Sequence, residues 1–203
     1  MKNKFQKLLI DFYLRNDVTQ VSKDLLGKFL ITNIDGIKTS GMITEVEAYN
    51  GITDKASHAF GGRRTARTEA MYSTGGVAYV YLCYGIHHLF NVVTNEKNIP
   101  HAVLIRAIEP VNGIDEMLRR RNMNTLQPRL TSGPGSMSAA LGIKVSESGL
   151  DLTGNKIFIE DRGILIEEEN IFSTKRIGVD YAEEDSLLNY RFYIKGNKFI
   201  SKP

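Results

Sequence analysis

The chain has 203 residues, 42% of them apolar or aromatic, which favours a single folded domain with one sizeable core. Its 26 Lys and Arg against 23 Asp and Glu leave a net charge of +3, which permits a nucleic-acid partner without requiring one. A single cysteine excludes an internal disulfide and a cysteine-based zinc site. No apolar run reaches the roughly 18–20 residues of a membrane span, and charges interrupt the apolar N-terminal stretch. We therefore expect a cytoplasmic protein without membrane contact.

Apolar periodicity and turn residues divide the chain into short strands and a few helices. Asp35-Gly36 between two apolar runs is typical of a tight hairpin, and Gly27 and Gly85 are typical ends of a helix and a strand. The predicted elements are an irregular or partly helical segment at 5–15, a helix at 18–26, strands at 28–34 and 37–49, a loop at 51–75 with a short helix at 65–71, strands at 78–84, 89–94 and 102–109, a helix at 115–121, a turn and helix at 131–143, and strands at 156–161, 163–168 and 191–195. This pattern predicts an α+β fold, a single domain over 1–203 on a curved, mainly antiparallel sheet.

Two carboxylates and an aromatic ring alternate along the predicted strand at 37–49. Glu45, Glu47 and Tyr49 share one face, with the carboxylates about 7 Å apart by strand rise. From the pattern alone an exposed sheet edge is the simpler interpretation, because edge charges discourage aggregation. The other interpretation is the wall of a cleft, in which a partly desolvated carboxylate acts as a base.

A second group of residues is aromatic. Tyr79 and Tyr81 share one face of the predicted strand at 78–84, and Tyr84 stands at its tip beside Gly85. Core packing explains this group, and so does a platform that stacks against flat π-systems such as nucleic-acid bases. At an exposed tip, Tyr84 would have the shape of a wedge.

The third group is basic. Arg63, Arg64 and Arg67 lie in a glycine-rich loop and suit phosphate contacts, although a solvated loop explains them equally well. Arg106 interrupts an apolar strand and needs a buried acidic partner, for which Glu45 or Glu47 is the candidate.

Histidines are present without a metal-binding pattern. His58, His87 and His88 have no HExxH or comparable spacing, so we expect no metal. The three groups together fit an enzyme that extracts a base from a duplex and acts on its sugar bond. A non-catalytic nucleic-acid-binding module and a metal-dependent hydrolase remain the alternatives.

The order of these motifs resembles the alkyladenine (3-methyladenine, methylpurine) DNA glycosylases, in a compact bacterial form. The resemblance runs from 25–28 to 191–193 and covers most of the chain. Its densest segments are EVEAY (45–49), SHAFGGRRTAR (57–67), AYVYLCYGIHHLFNV (78–92), VLIRAIEP (103–110), SGP (132–134) and RIGV (176–179).

The resemblance implies a role for most of the residues above. The implied roles are general base for Glu47, water-holding for Arg106, stacking on a flipped base for Tyr49, His58 and Tyr81, insertion into the minor groove for Tyr84, discrimination against guanine for Asn91, and a backbone contact to the water for Ile157. Glu45 is expected to support the site by pairing with an arginine.

The resemblance also implies the activity. The expected partner is double-stranded DNA with a damaged purine, whose N-glycosidic bond is hydrolysed to leave an abasic site, without a metal, an organic cofactor or lyase activity. Base extraction by one compact domain needs no partner subunit, so we expect a monomer. Two departures stand out. Ser136 occupies a place where the family often carries a lysine, which puts a phosphate contact there in doubt, and Ile86-His87-His88 differ in a way that would alter damage preference.

Overall fold

The computed structural model describes residues 5–202, and nine strands in that range form one sheet in which all paired strands run antiparallel. The strands are β1 Gln6–Lys7, β2 Phe29–Ile34, β3 Ile37–Tyr49, β4 Ala78–Cys83, β5 His87–Thr94, β6 His101–Asn112, β7 Ile157–Asp161, β8 Ile171–Thr174 and β9 Arg191–Ile194. The order across the sheet is β1-β7-β2-β3-β6-β5-β4, and β9 joins β3 to β8. This architecture confirms the predicted α+β class.

Short helices flank the sheet. The α-helices are α1 Ile10–Tyr13, α2 Val18–Leu25, α3 Ile114–Arg120 and α4 Pro134–Leu141. The 3₁₀ helices are Gly51–Thr53, Phe60–Gly62, Glu69–Tyr72, Pro128–Leu130, Val145–Glu147, Glu168–Asn170 and Asp180–Leu187. Within the described residues, no helix is long and apolar enough to cross a membrane.

Helix α2 forms where its sequence predicts it. The Asp17 carboxylate accepts hydrogen bonds from the backbone N–H groups of Thr19 and Gln20 at 2.9 and 3.0 Å, which satisfies two donors that the first turn leaves free. The buried residues Val18, Val21 and Leu25 follow helical spacing and face the core.

The long strand β3 lies in the middle of the sheet. It pairs with β6 along one side, and on the other side with β2 through its first half and with β9 at residues 45–47. A register shift between Ile43 and Val46 puts both side chains in the main core although they are three positions apart. At Gly41, beside another shift, a Cβ would lie 2.6 Å from the Glu109 carbonyl oxygen, so the close approach of β6 requires glycine.

Several sequence predictions are wrong in detail. The strand predicted at 163–168 is absent; Leu165 is exposed there, and the strand forms later, at Ile171–Thr174, where β9 supplies a partner. The helix predicted at 65–71 is a 3₁₀ turn at Glu69–Tyr72. The strand predicted at 78–84 ends at Cys83, because Tyr84 has a φ of 51° and begins a turn.

Candidate active site

A buried carboxylate, Glu47, lies at the floor of a large cavity. The cavity has a volume of about 660 Å³, and Glu47 and Arg106 both line it. Glu47 is 0% exposed, and its Oε1 lies 3.0 Å from Arg106 Nη1 and accepts a hydrogen bond from the backbone N–H of Ile177 at 2.8 Å. Its Oε2 accepts from the Tyr49 hydroxyl at 2.9 Å. Three donors therefore fix both oxygens of this carboxylate.

The edge interpretation of this strand face is wrong. Glu45 and Glu47 are fully buried because β9 covers β3 on the side that β2 leaves open. Arg106 bridges the two carboxylates, with Nε 2.9 Å from Glu45 Oε1 and Nη1 on Glu47. Both candidate partners of Arg106 are thus real, and the expected pairing of Glu45 with an arginine is confirmed.

The pKa shifts of Glu45 and Arg106 keep both side chains charged. Burial opposes ionisation of Glu45, but Arg106 and the Ser201 donors outweigh it and hold the pKa of Glu45 below its usual value. Burial likewise opposes the charge on Arg106, whose pKa is nevertheless raised by Glu47 and Glu45. Desolvation, reinforced by the Glu47 charge, raises the pKa of Tyr49 well above its usual value, so the phenol stays a hydrogen-bond donor.

Three aromatic side chains line the same cavity as Glu47. Tyr49, His58 and Tyr81 all line the cavity, and the centroids of His58 and Tyr81 lie 4.6 Å apart with the planes nearly perpendicular. His58 Nδ1 is 2.8 Å from the Tyr79 hydroxyl, which fixes the orientation of the imidazole. Burial, and then the nearby charges of Arg67 and Arg63, lower the pKa of His58 to about 4, so the ring is neutral at pH 7.

A buried ion pair backs Tyr49. Arg176 lies with its guanidinium carbon 4.8 Å from the Tyr49 ring centroid. It binds both oxygens of Asp54, at 2.5 and 2.8 Å, and donates to the Ala48 carbonyl at 2.9 Å. The sequence analysis named the RIGV segment but assigned no role to Arg176. No local signal identified this role, because the acidic partner of the buried Arg176 lies 122 residues earlier in the sequence.

Asn91 lies on the cavity wall in β5. It is 3% exposed, and its Nδ2 donates to the backbone carbonyls of Tyr79 at 3.0 Å and Leu89 at 3.3 Å. These two bonds fix the side-chain amide. The family resemblance implies that Asn91 and Glu47 belong to the same pocket, and both residues line this cavity.

The tip of the β4–β5 hairpin forms one rim of the cavity. Tyr84 lines the cavity yet is 89% exposed, and Ile86 beside it is 71% exposed. The positive φ values of Tyr84 (51°) and Gly85 (73°) make the tight turn that presents the ring. His87 packs against Gly135 across the rim, where a Cβ would lie 2.8 Å from His87 Nδ1.

The loop arginines occupy three different settings. Arg67 lines the cavity, with its guanidinium carbon 5.2 Å from the Tyr81 ring centroid. Arg64 is bound by both carboxylate oxygens of Glu69, at 2.5 and 2.8 Å. Arg63 is exposed, and its side chain makes no ion pair with any residue in the described range 5–202. The sequence did not separate these settings.

Two further residues from the sequence analysis lie in different settings. Ile157 is buried in the core and pairs with β2 away from the cavity, so the backbone contact assigned to it is wrong; Ile177, in the RIGV segment, is the residue whose backbone reaches Glu47. Ser136 lines the cavity at the start of α4, and its hydroxyl accepts a hydrogen bond from Arg121 at 3.0 Å.

Comparison with known proteins agrees with this geometry. The sequence model of the family described as "Methylpurine-DNA glycosylase (MPG)" matches residues 11–198. A Clostridium acetobutylicum protein named "Putative 3-methyladenine DNA glycosylase" is 47% identical over 202 residues, covering 96% of this chain and 97% of that protein. Proteins of the same name from Clostridium perfringens and Bacillus cytotoxicus are each 46% identical, covering 95% and 94% of this chain and 97% of each relative.

These matches span nearly the whole chain. The protein is accordingly an enzyme of the DNA N-glycosylase class, whose partner is DNA. It belongs to the methylpurine-DNA glycosylase family.

Proposed function

We propose that this protein removes alkylated and deaminated purines from double-stranded DNA. The substrates are of the 3-methyladenine, 7-methylguanine, hypoxanthine and ethenoadenine type. The enzyme hydrolyses the N-glycosidic bond, leaves an abasic site and does not cut the strand. It acts as a cytoplasmic monomer. The observation that carries the proposal is the fixed, buried Glu47 at the bottom of a ring-lined cavity with Tyr84 at its mouth.

The acceptor sites of Glu47 support its role as general base. A carboxylate offers about four acceptor positions. Arg106 and the Ile177 N–H occupy Oε1 and Tyr49 occupies one position of Oε2, which leaves one position on Oε2 for a water molecule. Glu47 takes a proton from that water as it attacks the anomeric carbon, the bond to the purine breaks, and Arg106 holds the carboxylate in place.

The aromatic walls support recognition of an extruded purine. Flipping costs a few kcal/mol, and least for damaged or weakly paired bases. Stacking on Tyr49, His58 and Tyr81 recovers roughly 1–3 kcal/mol per ring. A base methylated at N3 or N7 is cationic, so the ring faces attract it and it is already a good leaving group. Tyr84 fills the gap in the duplex, and Asn91 disfavours unmodified guanine by crowding its exocyclic amine.

The residues at the cavity support hydrolysis without strand cleavage. No lysine is among the lining residues in the described part of the chain, and a lysine is the usual side chain for a Schiff base with a sugar. Among the same residues, no three His, Cys, Asp or Glu side chains converge in a metal-binding arrangement.

The test is base release by the purified protein. Duplexes containing 7-methylguanine or hypoxanthine are incubated with and without EDTA, and strands are resolved before and after alkali. We expect free purine and alkali-labile sites in both conditions, with intact strands before alkali. Binding without base release would favour the non-catalytic module, and loss of release in EDTA would favour a metal-dependent hydrolase.

A further inference from the structure

Glu45 is a buried carboxylate that the proposed chemistry does not use. It is 0% exposed and is not among the residues that line the cavity, so it lies behind Arg106 as seen from the substrate. Its Oε1 accepts from Arg106 Nε at 2.9 Å and from Arg191 Nε at 2.7 Å. Two arginines on two different strands thus converge on one oxygen.

Arg106 is fixed at all three of its terminal groups. Nε donates to Glu45, Nη1 lies 3.0 Å from Glu47, and Nη2 donates to the Ser201 hydroxyl at 3.1 Å. A planar guanidinium held at three corners cannot rotate about its long axis without breaking a contact. The nitrogen that faces the catalytic carboxylate is therefore aimed by the other two.

Ser201 completes this arrangement from a distant part of the sequence. Its backbone N–H donates to Glu45 Oε2 at 2.5 Å, and its hydroxyl donates to Glu45 Oε1 at 2.7 Å while accepting from Arg106. One hydroxyl proton and the oxygen lone pairs account for both hydroxyl contacts. The short segment 199–202 is itself held down, because Thr44 Oγ1 donates to the Phe199 carbonyl at 2.5 Å and Arg191 donates to the Lys202 carbonyl.

We infer that Ser201 is a positioning residue for base excision, acting through Glu45 and Arg106 to set the direction from which Arg106 meets Glu47. This inference rests on the proposed function. Removing the hydroxyl frees Nη2 and one contact of Glu45, and Arg106 is then able to turn toward a two-pronged pair with a single carboxylate. A misplacement of about 1 Å at a reacting group is enough to cost up to ~10²-fold in rate.

The experiment compares Ser201→Ala with Ser201→Thr, which keeps the hydroxyl. Single-turnover release of hypoxanthine, affinity for an abasic duplex and melting temperature are measured for each. Ser186→Ala is the matched control, since that hydroxyl donates to the Glu183 carbonyl outside the cavity. We expect about a 10-fold slower release in Ser201→Ala with unchanged duplex affinity, near wild-type release in Ser201→Thr, and no change in the control.

Equal rates in Ser201→Ala and the wild type would overturn the inference, as would a loss that Ser201→Thr does not rescue and that follows the melting temperature. The ¹⁵N signal of Arg106 Nε gives a readout independent of catalysis. It should be sharp and slow to exchange in the wild type and in Ser201→Thr, and broadened in Ser201→Ala. If the wild type releases no purine, the proposed function fails while this signal still decides whether Ser201 orders Arg106.

Discussion

The floor and the rim of the cavity differ in burial and in what their side chains contact. At the floor, Glu45, Glu47 and Arg106 are buried and held by hydrogen bonds and ion pairs with one another. At the rim, Tyr84 is exposed and offers its ring to solvent, and Arg63 is exposed in the loop that also carries Arg67. The floor is therefore organised before substrate arrives, which suits a step that depends on fixed charges, whereas the rim has surface for a partner to cover.

The largest expected effect on stability is at the floor, on replacing Arg106. Arg106→Gln leaves two buried carboxylates without their shared cation, so the free energy of unfolding should fall by about 3–5 kcal/mol. Base release should fall by about 10²-fold or more, because the charge beside Glu47 is lost. Chemical denaturation and single-turnover assays measure the two. Arg106→Lys keeps the charge and should lose less stability; equal losses would mean that charge is not what the floor requires.

Next in size is removal of the rim tyrosine. Tyr84→Ala should raise the dissociation constant for an abasic duplex about 10-fold, or ~1.4 kcal/mol, because a stacked ring is lost from the gap in the DNA. The melting temperature should not change, since the ring is 89% exposed. Leu187→Ala, at another exposed apolar position outside the cavity, is the control. Equal affinity of Tyr84→Ala and wild type would remove the wedge role.

The loop arginines allow a finer comparison between two exposed basic side chains. Arg63→Ala should lower the slope of log affinity against log salt by about 0.9, the value for one phosphate contact. Arg64→Ala should lower it less, because Glu69 already binds that guanidinium. Filter binding to an undamaged duplex at several salt concentrations measures both. If Arg64→Ala lowers the slope more than Arg63→Ala does, Arg64 exchanges Glu69 for a phosphate on binding. The ion pair of the free protein would then not persist in the DNA complex.

The smallest effect concerns His58, between floor and rim. Because burial and the charges of Arg67 and Arg63 lower its pKa to about 4, the unfolded chain takes up this proton first as the pH falls from about 6.5. His58 therefore contributes a loss of stability between about pH 6.5 and 4. The melting temperature of His58→Phe should fall less than that of the wild type between pH 7 and 5. Identical pH responses would contradict the neutral, buried imidazole.

The sequence predicted which residues line this cavity better than it predicted their burial. Glu47, Tyr49, His58, Tyr81 and Asn91 could be grouped because the resemblance to the methylpurine-DNA glycosylases assigns them to one site, and all line one cavity. Their burial could not be predicted, because β9 arrives from about 145 residues later in the sequence and covers β3 where an edge was expected.

The remaining differences have the same origin in long-range contacts. The contacts of Ser201 with Glu45 and of Arg176 with Asp54 join segments far apart in sequence, and no local periodicity reports them. The strand at 171–174 formed instead of 163–168 because pairing with β9, rather than composition, decides which segment is extended and bonded. Long, periodic elements such as α2 were predicted closely, since their own apolar spacing determines them.

The most direct test of the central claim is the single-turnover rate of Glu47→Gln on a duplex containing hypoxanthine or 7-methylguanine. The amide keeps the shape of the side chain but cannot accept the water proton. Base release should fall by about 10³-fold or more while affinity for an abasic duplex stays within a few-fold of the wild type. Release at the wild-type rate would show that Glu47 is not the base and would contradict the account.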